Sequence, residues 1–182
     1  MKPGAARNAI DCALFDLEAK TNNTTVAAML GVTDLAPMVT CYTISLSDPQ
    51  TMAAQVAANA HRPLLKIKLG TENDAERIRA VRLAAPNARI VVDANEGWTE
   101  GNIEHHLAVA VQANIELIEQ PLPVGKDAIL ADLRRKVTIC ADESVHATKD
   151  LAALRDRYDA VNIKLDKTGG LTEGLLMKAE AQ

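Results

Sequence analysis

The sequence has very few aromatic residues and no cluster of basic ones. Phenylalanine, tryptophan and tyrosine together make up 2% of the 182 residues, and the formal net charge is -4. So few aromatic side chains provide little surface on which nucleic-acid bases could stack. An acidic chain without a basic patch also lacks the electrostatic footprint of nucleic-acid binding. We therefore expect no nucleic-acid partner.

Long apolar runs and paired cysteines are missing as well. No apolar stretch is long enough to cross a bilayer, and the first residues do not follow the pattern of a secretory signal. The three cysteines, Cys12, Cys41 and Cys140, are odd in number and far apart, which argues against a disulfide framework or a zinc cluster. Each has apolar neighbours, so we expect three small core residues. Together these features predict a cytoplasmic enzyme domain without a membrane partner.

Strand-like and helix-like segments alternate through most of the chain. This alternation predicts an α/β fold in which helices connect the strands of a parallel sheet. The strands are nearly continuous apolar runs, as expected for a sheet that is covered on both faces. The predicted strands are 38–46, 64–69, 89–93, 115–119, 137–141 and 160–165. The predicted helices are 3–20, 26–30, 48–60, 72–84, 99–112, 126–133, 148–158 and one that begins near 171.

Ionisable residues recur where the predicted strands end. They are separated by 25, 26, 23 and 22 residues, which is about one strand-helix unit each time, and they are Lys68, Asp93, Glu119, Asp142 and Lys164. Parallel strands with right-handed crossovers bring such ends to one edge of the sheet. A barrel makes them converge on the active-site face, whereas an open doubly wound sheet spreads them along a line. We therefore favour a partial (β/α) barrel of about six strand-helix units.

The segment 64–70 carries two lysines inside an otherwise apolar run. Because side chains alternate along a strand, Lys66 and Lys68 share one face, and the apolar residues share the other. Lysines are common on edge strands, so an edge position with two solvated lysines is one interpretation. The other is a pair of functional lysines, which the remaining strand-end residues favour.

Three carboxylates on consecutive strands repel one another unless a cation lies between them. Oxygen ligands without histidine or cysteine suit a hard cation such as Mg²⁺. Such a cation stabilises the enolate that forms when the α-proton of a carboxylate substrate is removed. Lysines on two sides of the site would remove the proton from one face and return one to the other, which is 1,1-proton transfer. Taken singly, the same carboxylates are also compatible with helix caps or a proline-terminated strand.

Two further groups of residues are less specific. The segment 168–170, Thr-Gly-Gly, opens a predicted helix and is compatible either with anion binding or with a tight strand-to-helix turn. His105 and His106 lie on a predicted helix, where we expect both to be solvated.

Five short motifs resemble the enolase superfamily, in its muconate-lactonizing-enzyme subgroup. They occur in the family's order, and they are Lys66-Ile67-Lys68, Val92-Asp93-Ala94-Asn95, Ile118-Glu119-Gln120-Pro121, Ala141-Asp142-Glu143-Ser144 and Asn162-Ile163-Lys164. Within that subgroup, the segment 162–171 is most similar to L-Ala-D/L-Glu dipeptide epimerases, which act on murein-derived dipeptides.

The resemblance implies a role for each strand-end residue. It implies that Asp93, Glu119 and Asp142 bind Mg²⁺, and that Lys68 and Lys164 are the acid/bases on opposite faces of the substrate.

It also implies supporting roles for other residues. Lys66 would neutralise the substrate carboxylate and Thr43 would contact the substrate, while three polar residues would support these groups: Asn95, Glu143 and Asn162.

The resemblance also implies an organisation and leaves the reaction open. Family members carry an N-terminal capping domain and eight strands, so we expect 1–35 to be junction helices and 36–182 an incomplete barrel with two exposed edges. The expected reaction is epimerisation of a dipeptide. Muconate cycloisomerase, o-succinylbenzoate synthase, N-succinylamino acid racemase and a catalytically silent fragment are the alternatives. A homo-oligomer is compatible with all of them.

Overall fold

The computed structural model describes all 182 residues. They form two compact units that interleave along the chain. The first, the sheet unit, contains 39–144 and 154–161. The second, the terminal unit, contains 1–38, 145–153 and 162–182.

The sheet unit contains six parallel strands that pair in the order of the sequence. They are β1 (Tyr42–Ile44), β2 (Leu65–Lys68), β3 (Ile90–Asp93), β4 (Leu117–Glu119), β5 (Thr138–Ala141) and β6 (Ala160–Val161). A doubly wound sheet reverses its strand order near the middle, whereas sequential order is that of a barrel segment. The predicted α/β class with a parallel sheet is confirmed. β1 and β6 each pair on one side only.

Eight α-helices accompany the strands. They are α1 (Ala5–Thr21), α2 (Val26–Met29), α3 (Pro49–Ala58), α4 (Asp74–Ala84), α5 (Ile103–Gln112), α6 (Leu151–Leu154), α7 (Leu165–Thr168) and α8 (Leu171–Ala181). The predicted start of α3 is confirmed, because the Asp48 side chain accepts a hydrogen bond from the Thr51 amide at 2.9 Å and Pro49 occupies the first turn. None of the helices combines the length and apolar character needed to cross a bilayer.

The core of the sheet unit consists of apolar side chains from both strands and helices. Fully buried examples are Leu65, Ile67, Ile78, Ile90, Ile103, Ile118 and Ile139. The strand residues among them are in register and share one face of the sheet, whereas the opposite face carries the partly exposed Lys66, Val91 and Leu117. The expectation of a sheet buried on both faces is therefore wrong for this part of the strands. By contrast, the apolar residues of α1 in the terminal unit, Ile10, Leu14 and Leu17, are at least half exposed.

Four predicted elements are wrong in extent. The strand predicted over 38–46 is Tyr42–Ile44, and the helix predicted over 148–158 is a 3₁₀ turn, Thr148–Asp150, followed by α6. The helix predicted over 126–133 is only a 3₁₀ helix, Ala128–Ala131, because two prolines and Gly125 occupy the approach and Asp127 turns inward. The strand predicted over 160–165 is two residues long. The last predicted residues, 164 and 165, belong to the start of α7, because the Lys164 carbonyl accepts hydrogen bonds from the amides of Lys167 and Thr168.

The cysteines and the histidine pair also differ from expectation. Cys140 is buried as predicted, but Cys12 is only partly buried, and Cys41, just before the edge strand β1, is exposed. His105 is exposed as predicted, whereas His106 is 1% exposed and stacks on Trp98 with ring centroids 4.6 Å apart. The prediction of a solvated His106 failed because this side chain lies on the inner face of α5.

The buried His106 predicts a loss of stability in acid. Neither ring nitrogen has a hydrogen-bond partner, and burial lowers the pKa of His106, with Asp74 acting in the opposite direction and His105 in the same one. The unfolded chain therefore binds the proton more readily as the pH falls below about 6.5. We expect His106→Leu to lose less stability than the parent between pH 7 and pH 5.

The measurement is chemical unfolding followed by the fluorescence of Trp98, which is the single tryptophan and is fully buried. His105→Leu is the matched control, because it removes the exposed neighbour on the same helix. An acid sensitivity that is equal in His106→Leu and in the parent would contradict the assignment.

Candidate active site

Four of the ionisable residues found in the sequence lie together at the carboxyl ends of the strands. Lys68, Asp93 and Glu119 are the last residues of β2, β3 and β4 and are paired in register across the sheet. Asp142 directly follows β5. Residues in register on parallel strands point to the same face, so the three strand-end side chains converge. The sheet pairing itself therefore assembles this edge.

The lysines of β2 lie on an interior strand. β2 pairs with β1 on one side and with β3 on the other, so the edge-strand interpretation is wrong. Leu65 and Ile67 are fully buried on the apolar face, as the alternation predicts. The side chain of Lys66 is 16% exposed and that of Lys68 is 34% exposed. Lys68 is thus the lysine with more access to solvent.

Two ammonium groups share the carboxylates at this edge. Lys66 Nζ lies 2.8 Å from Asp93 Oδ2 and 2.5 Å from Glu119 Oε2. Lys68 Nζ lies 2.7 Å from the same oxygen of Asp93. Burial lowers the pKa of Lys66, but hydrogen bonds and charge attraction from Asp93 and Glu119 outweigh it and raise the pKa well above the ordinary value. Lys66 is therefore held as an ammonium ion.

Asn95 connects Lys68 to the loop after β5. Its Oδ1 accepts a hydrogen bond from Lys68 Nζ at 2.9 Å, and its Nδ2 donates to Glu143 Oε1 at 3.4 Å. Asn95 adopts a left-handed conformation with φ 44°, and its backbone amide donates to Asp93 Oδ1 at 3.1 Å. The predicted supporting residues Asn95 and Glu143 thus contact each other, and Asn95 contacts a predicted catalytic lysine.

The loops after β2 and β3 touch through two glycines. A Cβ added at Gly97 would lie 2.3 Å from the Gly70 Cα, so no side chain fits there without moving the backbone. Gly70 itself has φ 138°, which a residue with a side chain rarely adopts. This contact fixes the spacing of the two loops that follow Lys68 and Asp93.

The remaining predicted site residues divide between the two units. Thr43 of β1 is in register with Lys66 and is exposed on the same face. Asn162 and Lys164 belong to the terminal unit, where Lys164 directly precedes α7 with an extended backbone. The opposition of Lys68 and Lys164 across a substrate stays a prediction.

Gln120 is a residue whose importance the sequence did not reveal. It is completely buried, and its side chain accepts hydrogen bonds from the backbone amides of Asp142 and Ser144 at 2.9 and 3.1 Å. Sequence reasoning treated it only as one letter of a motif. The signal in the sequence was an uncharged polar residue between the end of an apolar strand and Pro121, a position where a polar side chain needs hydrogen-bond partners inside the protein.

The donors at this edge fit a hard cation in type. Asp93 and Glu119 both direct an oxygen at the Lys66 ammonium, which stands in for a cation between two buried carboxylates. Asp142 is also buried. The side chains as they stand do not form a group of three histidine, cysteine, aspartate or glutamate residues arranged to hold a metal ion. The three-carboxylate ligand set stays a prediction.

The helix that follows the Gly169–Gly170 turn, α8, has the Asp11 carboxylate at its N-terminus. Asp11 of α1 accepts hydrogen bonds from the Thr172 amide at 3.0 Å and from the Thr172 hydroxyl at 2.7 Å. These hydrogen bonds lower the pKa of Asp11. A Cβ at Gly170 would lie 2.4 Å from the Asp11 side chain. The segment forms a tight turn, but the turn joins α7 to α8, so the expected strand-to-helix turn is wrong. Asp11 occupies the anion position at the start of α8.

The fold and the strand-end residues define a barrel-type α/β protein with its ionisable groups at one sheet edge. Residues 50–182 match the family model described as "Enolase C-terminal domain-like", and residues 2–31 match the N-terminal domain of the mandelate racemase/muconate lactonizing enzyme family. The chain therefore belongs to the enolase superfamily, as its motifs predict.

Two curated relatives with different names are equally similar to this chain. The chain is 42% identical over 179 residues to an N-acetyl-D-glutamate racemase from Pseudoalteromonas, and 42% identical over 181 residues to the L-Ala-D/L-Glu epimerase of Escherichia coli. Each match covers 98% of this chain and 56% of the relative. The chain thus spans a little over half the length of these relatives.

Two solved structures are similar over nearly the whole chain. One is an enolase family member from Agrobacterium tumefaciens with homology to dipeptide epimerases, solved with sodium and L-Ala-L-Glu. It is 66% identical with a TM-score of 0.97, and the match covers 100% of this chain and 56% of that one. The other is a dipeptide epimerase from Cytophaga hutchinsonii with Mg and D-Ala-L-Val. It is 31% identical with a TM-score of 0.90, and the match covers 96% and 50%.

The shared ammonium predicts a large cost of removing Lys66. In Lys66→Met, Asp93 and Glu119 lose the ammonium that lies between them, and both carboxylates are buried. Breaking a buried ion pair from one side costs about 3–5 kcal/mol when the remaining charge has no other partner. Because Asp93 keeps its pair with Lys68, we expect a loss of free energy of unfolding at the lower end of that range, about 3 kcal/mol, in the absence of metal.

Trp98 fluorescence during urea unfolding measures this loss, because Trp98 belongs to the same unit. Lys20→Met is the matched control, since its pair with Asp16 is exposed and should contribute about 0.5 kcal/mol or less. Equal effects of the two substitutions would show that the Lys66 contacts contribute little.

Proposed function

We propose that this chain carries the proton-transfer site of a Mg²⁺-dependent epimerase acting on L-Ala-D/L-Glu-type dipeptides. The observation that carries the proposal is the register of Lys68, Asp93 and Glu119 at one sheet edge. Lys66 lies two residues before Lys68 on the same face of β2 and contacts Asp93. The similarity to dipeptide epimerases supports the substrate class. A murein-derived dipeptide and a cytoplasmic setting belong to the same proposal.

The two lysines of β2 differ in ways that suit different tasks. Lys66 is largely buried and its pKa is raised by Asp93 and Glu119, so it stays charged. A permanent ammonium neutralises a substrate carboxylate but cannot accept a proton. Lys68 is twice as exposed and is oriented by Asp93 and Asn95. Lys68 in its neutral form would therefore take the α-proton, and Lys66 would hold the substrate.

Lys164 completes the proton balance. When Lys68 takes the α-proton it becomes an ammonium, and Lys164, starting as an ammonium, gives a proton to the opposite face of the same carbon. One proton leaves the substrate and one is returned, so the product is the epimer and no redox partner is needed. Thr43, in register with Lys66, would contact the substrate from β1. Asn162 would support Lys164 from two residues before it.

Asp93, Glu119 and Asp142 would hold the Mg²⁺ ion, with Asn95 and Glu143 ordering the loops that follow Asp93 and Asp142. When bound, Mg²⁺ supplies positive charge where negative charge develops on the substrate carboxylate. Carboxylate oxygens are the ligands that Mg²⁺ prefers, and a related dipeptide epimerase was solved with this metal.

A second substrate class has equal support from sequence identity. The N-acetyl-D-glutamate racemase is as similar to this chain as the Escherichia coli epimerase is. Both names describe substrates with a glutamate α-carbon whose amino group is acylated. Proton exchange at that carbon therefore tests both classes with one measurement.

The test is hydrogen–deuterium exchange of the glutamate α-proton, followed by NMR in D₂O with Mg²⁺. L-Ala-L-Glu and N-acetyl-glutamate are offered separately. We expect exchange and epimerisation of the dipeptide at a rate at least about tenfold above that of N-acetyl-glutamate, because an unfavourable substrate leaves polar groups of the site unpaired. Faster exchange of N-acetyl-glutamate would replace the dipeptide assignment, and no exchange of either would overturn the proposed activity of this chain.

Variants of the two predicted bases test the mechanism. Lys68→Ala and Lys164→Ala should each abolish epimerisation, but each should affect exchange from one epimer of the substrate more than from the other. Lys178→Ala is the matched control, because Lys178 lies on α8 away from the predicted motifs. Full epimerisation by either base variant would rule out the two-lysine mechanism.

A further inference from the structure

Gln120 uses every hydrogen-bonding group it has. Its backbone amide donates to the Cys140 carbonyl of β5, and its carbonyl accepts from the Glu96 amide in the loop after β3, both at 2.9 Å. Its side chain is completely buried. Its φ of 35° lies in the left-handed region, which is uncommon for a residue with a side chain. Gln120 is therefore tied to the strands on both sides of β4.

The surrounding donors fix which way the carboxamide points. Oε1 faces the backbone amides of Asp142 and Ser144, at 2.9 and 3.1 Å, and an amide can only donate. Nε2 faces the Leu122 carbonyl at 2.8 Å, which can only accept. These partners exclude the flipped carboxamide, and they also exclude a carboxylate, which would place an oxygen against the Leu122 carbonyl.

Two hydroxyl groups extend the network to a buried aspartate. The second N–H of Nε2 is shared between Ser144 Oγ and Tyr158 Oη, which both lie 2.9 Å from the nitrogen. Those hydroxyls donate in turn to Asp127 Oδ2, at 2.8 and 2.7 Å. Burial, together with the hydrogen bond to Asp127, raises the pKa of Tyr158, so its hydroxyl stays protonated and remains a donor.

Asp127 is itself anchored. It is 1% exposed and pairs with Arg157, whose Nη1 lies 2.9 Å from Asp127 Oδ1. The hydrogen bonds therefore run in one direction, from Gln120 through the two hydroxyls to a paired carboxylate. A fully satisfied, one-directional network of buried groups permits a single orientation of its members.

We infer that Gln120 is a positioning residue that sets where Asp142 stands relative to Glu119. Its backbone continues directly from Glu119, and its Oε1 grips the amide of Asp142 and the amide two residues later. These two hydrogen bonds hold the turn that carries Asp142 at a fixed position relative to the end of β4. The inference rests on the proposed function, because it takes Glu119 and Asp142 as Mg²⁺ ligands.

The consequence is a dependence of Mg²⁺ affinity on a side chain that would not touch the metal. Residues that orient metal ligands typically contribute about 10–100-fold in affinity. Gln120→Met keeps the length of the side chain and adds no charge, but it removes both Oε1 contacts. We expect it to weaken Mg²⁺ binding by roughly 10–100-fold. Gln120→Asn, whose oxygen is one methylene short of the two amides, should do the same and preserves polarity if Gln120→Met does not fold.

Two variants separate positioning from general stability. Tyr158→Phe removes a hydroxyl from the far side of the network and leaves the Oε1 contacts in place, so Mg²⁺ affinity should stay within about threefold. Arg82→Met removes hydrogen bonds to the carbonyls of Ala113 and Asn114, which follow α5 and lie before β4. We expect it to lower stability without changing Mg²⁺ affinity.

The experiment is titration of each folded variant with MgCl₂ by calorimetry, with Trp98 fluorescence during urea unfolding as the stability readout. Asp142→Asn is included as a ligand variant. A loss of affinity in Gln120→Met or Gln120→Asn that exceeds the loss in Tyr158→Phe supports the inference. If the parent binds Mg²⁺, Asp142→Asn weakens binding and neither Gln120 variant does, the inference is overturned alone. If the parent does not bind Mg²⁺, or Asp142→Asn binds as tightly, the proposed metal site fails and the inference with it.

Discussion

The site depends on placing like charges side by side where water has little access. Asp93 and Glu119 end adjacent strands in register, and both are almost fully buried. Two such carboxylates repel each other unless positive charge lies between them. The Lys66 ammonium supplies that charge from a position two residues before the end of β2. A buried ion pair adds little stability compared with well-packed apolar side chains, yet removing one partner is costly because it leaves the other charge buried.

The surrounding architecture keeps that balance in place with backbone contacts. The Gly70–Gly97 approach fixes the loops after β2 and β3, and Gln120 fixes the loop after β5 to the end of β4. Asn95 links Lys68 to Glu143 across the same edge. The groups that define the chemistry are thus few, whereas many uncharged groups determine their spacing. This division is typical of sites that must be organised before the ligand arrives.

The sequence predicted the parts of the fold that follow from periodic patterns. Alternating apolar runs predicted the parallel sheet, and the spacing of Lys68, Asp93 and Glu119 predicted that they lie at one edge. It did not predict the burial of His106 or the role of Gln120, because both depend on contacts between segments far apart in the chain. The 3₁₀ helix that replaced a predicted α-helix has the same origin, since inward-facing Asp127 competes with helical geometry.

The register of the sheet determines which side chains reach the site edge. Side chains alternate strictly along each strand, so inserting or deleting one residue within β2, β3 or β4 would turn its strand-end group toward the helices and bring an apolar residue to the edge. The loops beyond the strand ends obey no such rule. Exchanging the loops while keeping the strands would therefore leave Lys68, Asp93 and Glu119 at the same edge and change only their surroundings. The lengths of β2, β3 and β4 are therefore the part of this chain least able to accept insertions or deletions.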